Sequence, residues 1–442
     1  KMARISAFRG LRYNPEKIKK IEKVVCPPYD VIPPEQQEKF YKSHQNNFIR
    51  LILGKEENRD TSLNNKYTRA GCLLKEYIRE QIFVQDREPS VYLYEQAYTF
   101  EEAHYRRLGF IALLKLEPIG TRVVFPHEKT FCKPKQDRLA LLKATQANLC
   151  PIFGLYADDS EIDTLLKRQA RAKHLCDFSF EGVSNKLWKV SEQKFIQKLT
   201  RAMNDKQIFI ADGHHRYEVA SLYHKLAQKR QRQSQSQSVQ SGYVMMYFCN
   251  LKNQGLKVLP THRVVRNASP KIISRLPVLL EEYFKVTSFS SLPMLLTRLK
   301  GMVGRRAFGL CLGERKFYLL DFKAAPVEKK PIVSQGNYCY NNLDVVLLHS
   351  LVFGAMLKLK KQHYHDGDIF YTRDERHAVT LVKGKKYQAA FFMNPPSPHE
   401  ISAIARCFKK MPHKSTYFYP KPLSGLVINK LEKPETSNQI CK

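Results

Sequence analysis

The chain has 442 residues, 43% hydrophobic and 26% charged, with 74 lysines and arginines against 41 aspartates and glutamates, a net charge of +33. That balance suits a globular protein of two or three domains with substantial cores, and excludes a disordered or collagen-like chain. No run of about 18 uninterrupted apolar residues occurs, so neither a membrane span nor a membrane partner is expected.

The first residues carry charges and Asn14-Pro15 rather than an apolar secretion segment. Ten cysteines, none in a Cys-x-x-Cys pair, indicate a reducing, cytoplasmic setting without structural zinc. The positive charge favours polyanions, nucleic acid among them. It is spread along the chain rather than gathered in a block, which suits basic pockets for small anions as well.

In chain order, Val24, Val25 and Cys26 read as a short strand stopped by Pro27 and Pro28, which leaves Tyr29 and Asp30 on a stiff loop. Helical spacing runs over residues 36–43 and 63–81. Residues 91–98 and 107–116 read as paired strands, 137–145 as a helix and 151–156 as a strand. Residues 207–211 form an apolar strand, and Arg216, Ala220, Tyr223, Leu226 and Ala227 continue as a helical stripe. The Gln/Ser/Arg-rich stretch 228–241 reads as a linker. Hairpins are expected around Gly313-Glu314 and Gly384-Lys385. The fold class is mixed α/β, or α+β, with several antiparallel pairs. The expected division is a first domain over 1–227, a linker over 228–241, a second α+β domain over 242–431 and a polar tail over 432–442.

Asp212-Gly213-His214-His215-Arg216 follows an apolar strand and opens a helix. A helix start offers backbone N–H groups and the positive end of the dipole, a natural anion site. Gly213 permits close approach or a positive φ, and Arg216 is placed to fork onto phosphate oxygens. Of His214 and His215, one is expected to serve as acid, base or donor and the other to pack. Asp212 caps the helix, orients a histidine or binds a metal.

Further groups belong to the same expectation. Asp30 suits a general base or a magnesium ligand. In the segment after Pro126, Lys129 neutralises phosphate, Glu128 or Thr130 holds a metal, and His127 supports the substrate. Arg138, Lys143 and Asn148 extend this polar region towards nucleotide phosphate. Thr261, His262 and Arg263 follow another apolar strand and either complete the pocket or end the strand. A zinc-like site from His127, His214 and His262 ranks below phosphate chemistry, because Lys129, Arg216 and Arg263 repel a bare cation. Residues 414–420, with Tyr417, Phe418 and Tyr419, read first as a strand with one buried face. Glu95 and Gln96 are within range of the cleft.

Several segments carry a resemblance. Residues 26–32 (Cys26 to Ile32), 126–130, 133–138, 147–153, 211–217, 259–263 and 414–420 are similar to the bacterial and archaeal family catalogued as domain of unknown function 1015. The Asp212 to Arg216 segment resembles the phosphate-binding motif of the ParB/sulfiredoxin-like superfamily, which includes free serine kinases. That resemblance implies a ParB/sulfiredoxin-like N-terminal core, ATP or ADP as co-substrate with Mg2+, and a small polar metabolite whose hydroxyl accepts phosphate. It also implies an acidic base from the N-terminal region, for which Asp30 is the candidate. The superfamily's DNA-partitioning members imply the alternative of a nucleotide-switched nucleic-acid-binding protein, with CTP a further nucleotide choice. Oligomeric state is left open.

Overall fold

The computed structural model describes residues 3–118, 120–126, 128, 130, 132–234, 241–314, 316–323, 343–359, 367–397, 400–401, 403, 406, 411 and 414–431. The chain forms two compact units. One comprises Lys1–Pro126, Thr130–Lys257 and Pro420–Lys442, the other His127–Lys129 and Val258–Tyr419.

The first unit is built on a nine-stranded sheet. Its strands are β1 (Ile5–Ser6), β2 (Val91–Phe100), β3 (Ala103–Lys115), β4 (Val124–Phe125), β5 (Ile152–Tyr156), β6 (Cys176–Phe180), β7 (Val183–Val190), β8 (Ile208–Asp212) and β9 (Tyr243–Asn250). The order is β4-β8-β5-β9-β3-β2-β7-β6, with β1 on β3. Most pairs are antiparallel; β8 with β4 and β9 with β5 are parallel. Beside the sheet lie α1 (Lys66–Arg79), α2 (Cys132–Thr145), α3 (Glu161–Gln169), α4 (Gln193–Met203) and α5 (His214–Ser234).

Alternation along the strands sorts the two faces. Leu93, Phe110, Ala112, Ile152, Ile208, Ile210, Met246 and Phe248 share one core with Ile162 and Leu166 of α3 and Phe195 and Leu199 of α4. The residues between them point to the other face, where the Tyr94 and Phe153 rings stand 5.5 and 5.3 Å from that of Tyr247. Continuous apolar runs such as Ile208 to Ala211 are what a strand covered on both sides requires.

The second unit has a wholly antiparallel six-stranded sheet. Its strands are β10 (His262–Val265), β11 (Phe284–Phe289), β12 (Ala307–Cys311), β13 (Phe317–Phe322), β14 (Ile369–Thr372) and β15 (Ala389–Met393), in the order β11-β13-β12-β15-β10-β14. Phe391 and Met393 face a core that contains Leu276 and Leu280, while Ala390 and Phe392 face Leu295, Leu299 and Val379. Both faces of this sheet are therefore covered too.

The architecture is the mixed α/β arrangement with antiparallel hairpins that the sequence implied. The division differs from the expected breaks at 227 and 242. Tyr243–Asn250 is a central strand of the first sheet, paired with both β5 and β3. Helix α5 runs through Ser234 into the expected linker, since glutamine, lysine and arginine are good helix formers even where they build no core. Residues 235–240 and the expected tail 432–442 lie outside the described residues. Two local expectations are also corrected. Residues 24–26 make only a single bridge, Cys26 to Ser424, and Tyr29–Val31 is a 3-10 turn. Gly384 ends the helix Glu375–Lys383 and does not turn a hairpin.

Candidate functional site

The strand-to-helix junction of β8 and α5 is shaped by a bulge. Phe209 pairs with Leu155 and Ile210 with Gly154, but Asp212 pairs with Phe153, so the register shifts between Ile210 and Asp212. Two residues there oppose one, and the extra residue reverses the alternation. Without it Asp212 would follow Ile208 and Ile210 into the apolar core. With it Asp212 shares the face of Phe153, over whose ring the Arg107 guanidinium lies at 4.8 Å.

On that face Asp212 meets two cations. Lys421 Nζ donates to Oδ1, and Arg216 Nη2 donates to Oδ2 at 2.5 Å. Arg216 Nη1 also donates to the carbonyl of Pro151. Burial alone would push the Asp212 carboxyl up, but the charges of Lys421 and Arg216 outweigh it and hold Asp212 below the usual carboxylate range. Lys421 is itself positioned by neighbours, because Gln96 Nε2 donates to its carbonyl at 3.2 Å and Arg107 donates to Gln96 Oε1 and the Pro420 carbonyl.

Gly213 has φ of +90°, and a Cβ there would stand 2.9 Å from Arg216 Nε. Arg216 thus folds back over the glycine to reach Asp212. Gly213→Ala should cost about 1–3 kcal/mol of stability, from left-handed strain and the displaced guanidinium. Urea unfolding reads this, and an unchanged midpoint would show that the junction tolerates a side chain.

Asp30 completes the group. Its side chain is exposed, yet protein crowds it closely enough that burial pushes its carboxyl up; Asp212 adds to that shift, and Arg216 and Lys421 oppose it. The adjoining Tyr29 ring is clamped by the Arg138 guanidinium at 3.8 Å. Arg138 in turn donates to the Ile52 carbonyl at 2.8 Å and pairs with Asp137 at 2.5 Å. A small cavity of about 60 Å³ lies among Tyr29, Arg138, Cys150 and Arg216.

His215 is partly exposed, whereas His214 is buried. Burial lowers the His215 imidazole below the ordinary histidine range; Asp30 and Glu218 oppose this, and Lys135 and Arg216 add to it. Glu218 accepts from Thr130 Oγ1 at 2.7 Å and from Lys135 Nζ at 3.2 Å. The first unit thus brings together Asp30, Asp212, Gly213, His215, Arg216 and Thr130, with Arg138 bracing the Asp30 turn.

Other expectations for the site come out differently. Arg216 is engaged by Asp212 and Pro151 rather than held open as a fork for phosphate. Lys143 is exposed, about 140° around α2 from Arg138 at ~100° per residue. Asn148 accepts from Met245 N at 3.1 Å and Asn429 Nδ2 at 3.0 Å, tying down the strand Ala147–Asn148. His127 and Lys129 lie outside the described residues. Glu128 belongs to the second unit, where it accepts from Thr416 Oγ1 at 3.0 Å. Thr261, His262 and Arg263 are also in the second unit. His262 Nδ1 accepts from Met393 N at 3.3 Å, and its ring stands 5.3 Å from Phe392. Tyr417–Tyr419 is a strand with Phe418 buried. Glu95 pairs with Arg106 at 2.9 Å.

Sequence reasoning missed Lys421 and Glu218. Glu218 had a signal, since it lies three residues after His215 on one helix face. Lys421 had only its place between Pro420 and Pro422, one residue beyond a segment already singled out. Among the described residues no group of three or more His, Cys, Asp or Glu side chains converges as a metal site, and no helix is long and apolar enough to cross a membrane.

No curated protein matches the chain. Among solved structures it is similar to a free serine kinase in complex with AMP, at 12% identity and TM-score 0.36 over 70% of this chain and 86% of that one. A conserved hypothetical protein from Pyrococcus furiosus is similar at 14% and 0.36, over 73% and 95%. SbnI from Staphylococcus aureus, with a C-terminal truncation, is similar at 10% and 0.34, over 74% and 90%. Residues 5–346 match the family model described as protein of unknown function, DUF1015, and the chain belongs to that family.

Proposed function

We propose that the first unit is a nucleotide-dependent phosphotransferase that moves phosphate onto the hydroxyl of a small polar metabolite. The observation that carries this reading is a pair of carboxylates at the β8–α5 junction whose proton affinities are driven apart. Asp212 is held ionised by Lys421 and Arg216, while burial and Asp212 raise Asp30. Such a split is how a protein separates a proton acceptor from a fixed charge. Asp30 takes the proton from the substrate hydroxyl as the oxygen attacks phosphorus, and the leaving phosphate of the nucleotide departs on the opposite side. Asp212 keeps Arg216 and Lys421 in place. The start of α5 presents its dipole and first-turn N–H groups to phosphate oxygens.

Burial favours the neutral form of His215, which suits it to hydrogen-bond the phosphate or the acceptor hydroxyl. Magnesium fits as an ion held chiefly by phosphate oxygens and water, with Asp30 as a carboxylate ligand. It would neutralise charge on the transferring group.

The test begins with thermal shifts for ATP, ADP and CTP with magnesium, followed by nucleotide turnover with and without serine and related hydroxyl acceptors. A nucleotide should raise the melting temperature, and turnover should require the acceptor. His215→Ala should lower kcat by about 100-fold with the fold intact. Acceptor-independent hydrolysis, or salt-steep DNA binding without nucleotide turnover, would overturn the assignment.

A further inference from the structure

The second unit contains a cavity of about 700 Å³, within the range that accommodates small-molecule ligands. Arg263, on β10, lines it and is only 2% exposed. Its Nη1 donates to the Thr261 carbonyl and lies 2.9 Å from Met393 Sδ, and its Nη2 donates to the Lys414 carbonyl at 3.2 Å. The Tyr371 ring stands 5.7 Å away. Its Nε is buried with no hydrogen-bond partner. Among the described residues no carboxylate forms an ion pair with it. Burial lowers this guanidinium to about 10, against partial support from Tyr371 and Glu128.

A buried cation held only by carbonyls, a thioether and a ring is poorly compensated. The unpartnered Nε adds to that deficit, and the residue lines a ligand-sized cavity. Two further arginines, Arg305 and Arg306, line the same space, Arg306 resting over the Phe322 ring at 4.7 Å. The cavity also has an acidic side. Burial and Glu400 push the Asp344 carboxyl up to about 7, with Arg306 opposing. Asp344 and Glu400 line the cavity with a third acid, Asp321, and with Asn394, Ser397 and Ser415, so three acids there face the three arginines.

We propose that this cavity is a second ligand site, which takes a small anionic metabolite with its carboxylate or phosphate on Arg263 and Arg306 and a hydroxyl or ammonium group towards Asp344 and Glu400. The proposal does not depend on the phosphotransferase reading, since none of these residues belongs to the first unit. The competing explanation makes Arg263 a structural clip between the Thr261 and Lys414 carbonyls. That role asks nothing of Arg306 and predicts no anion affinity.

Calorimetric titration of the full chain with succinate and with inorganic phosphate, at ionic strength fixed with sodium chloride, tests the proposal. At least one anion should bind saturably, and the preferred one identifies the head group as carboxylate or phosphate. Arg306→Ala should weaken that binding about tenfold, the loss of one charge-assisted contact. Arg263→Lys, which keeps a cation but removes the fork, should weaken it at least as much; if that variant fails to fold, Arg306→Ala still gives the answer. No saturable heat for either anion, or an affinity unchanged in Arg306→Ala, would overturn the proposal. The second outcome would assign any phosphate binding to the first unit.

Discussion

Asp30→Asn is expected to cut kcat by about 10²–10⁴-fold, the range for losing a general base, while leaving the protein more stable than wild type above neutral pH. The two effects share one cause. Burial and the nearby Asp212 raise the Asp30 carboxyl above its ordinary value, so ionising it costs more in the folded chain than in the unfolded one. A group raised in this way contributes its stability below the unfolded value, near pH 4, and loses it as pH climbs through the folded value. Asparagine keeps the shape and never ionises. The stability advantage of the variant should therefore be absent near pH 4 and grow towards pH 8. Paired measurements of kcat and urea unfolding at the two pH values check it. Retained turnover would remove Asp30 from the chemistry, and a loss of stability at pH 8 would show that the charges of Arg216 and Lys421 outweigh burial and Asp212.

Asp212→Asn should destabilise the first unit by about 3–5 kcal/mol, the cost of stranding buried charge. Lys421 and Arg216 both donate to this carboxylate, and neither is freely hydrated; their side chains are 7% and 12% exposed. The pH dependence is the reverse of that for Asp30. Asp212 is held below its usual range, so its stabilisation is present above the unfolded value and lost as pH falls through the folded one. The gap between wild type and variant should be widest at neutral pH and narrow on acidification. Adding Lys421→Met to Asp212→Asn should recover part of the loss, since a double-mutant cycle isolates the coupled pair. The variant also removes a charge that raises Asp30, so any activity that remains should show its acidic limb at lower pH. Strict additivity of the two substitutions would dissolve the pair.

Much of this site was readable before any fold was known. An apolar run that stops at Asp212-Gly213 and resumes with helical spacing marks a strand-to-helix junction. Gly213 is needed for both reasons a glycine suggests, a positive φ and close approach. Pro27 and Pro28 did mark a stiff turn carrying Asp30. The segment 127–130 was less transparent. Short polar runs record which groups are available but not which partner each will choose. Thr130 turns to Glu218 in the first unit, and Glu128 to Thr416 in the second.

The sequence by itself determined the family, most of the main strands and helices and the position of the strand-to-helix junction, because these depend on local periodicity, turn chemistry and contiguous motifs. Tertiary structure decided the electrostatics. One bulge, invisible in residue identity, moved Asp212 off the apolar face. A lysine 209 positions away arrived to meet it, held there by Gln96 and Arg107. Arg216, which by residue type alone suits phosphate, is spent on that same carboxylate. Charge in a recess is set by distance and burial, and both are properties of the folded chain. Whether Asp30 accepts a proton follows from groups that no local reading of its own loop contains.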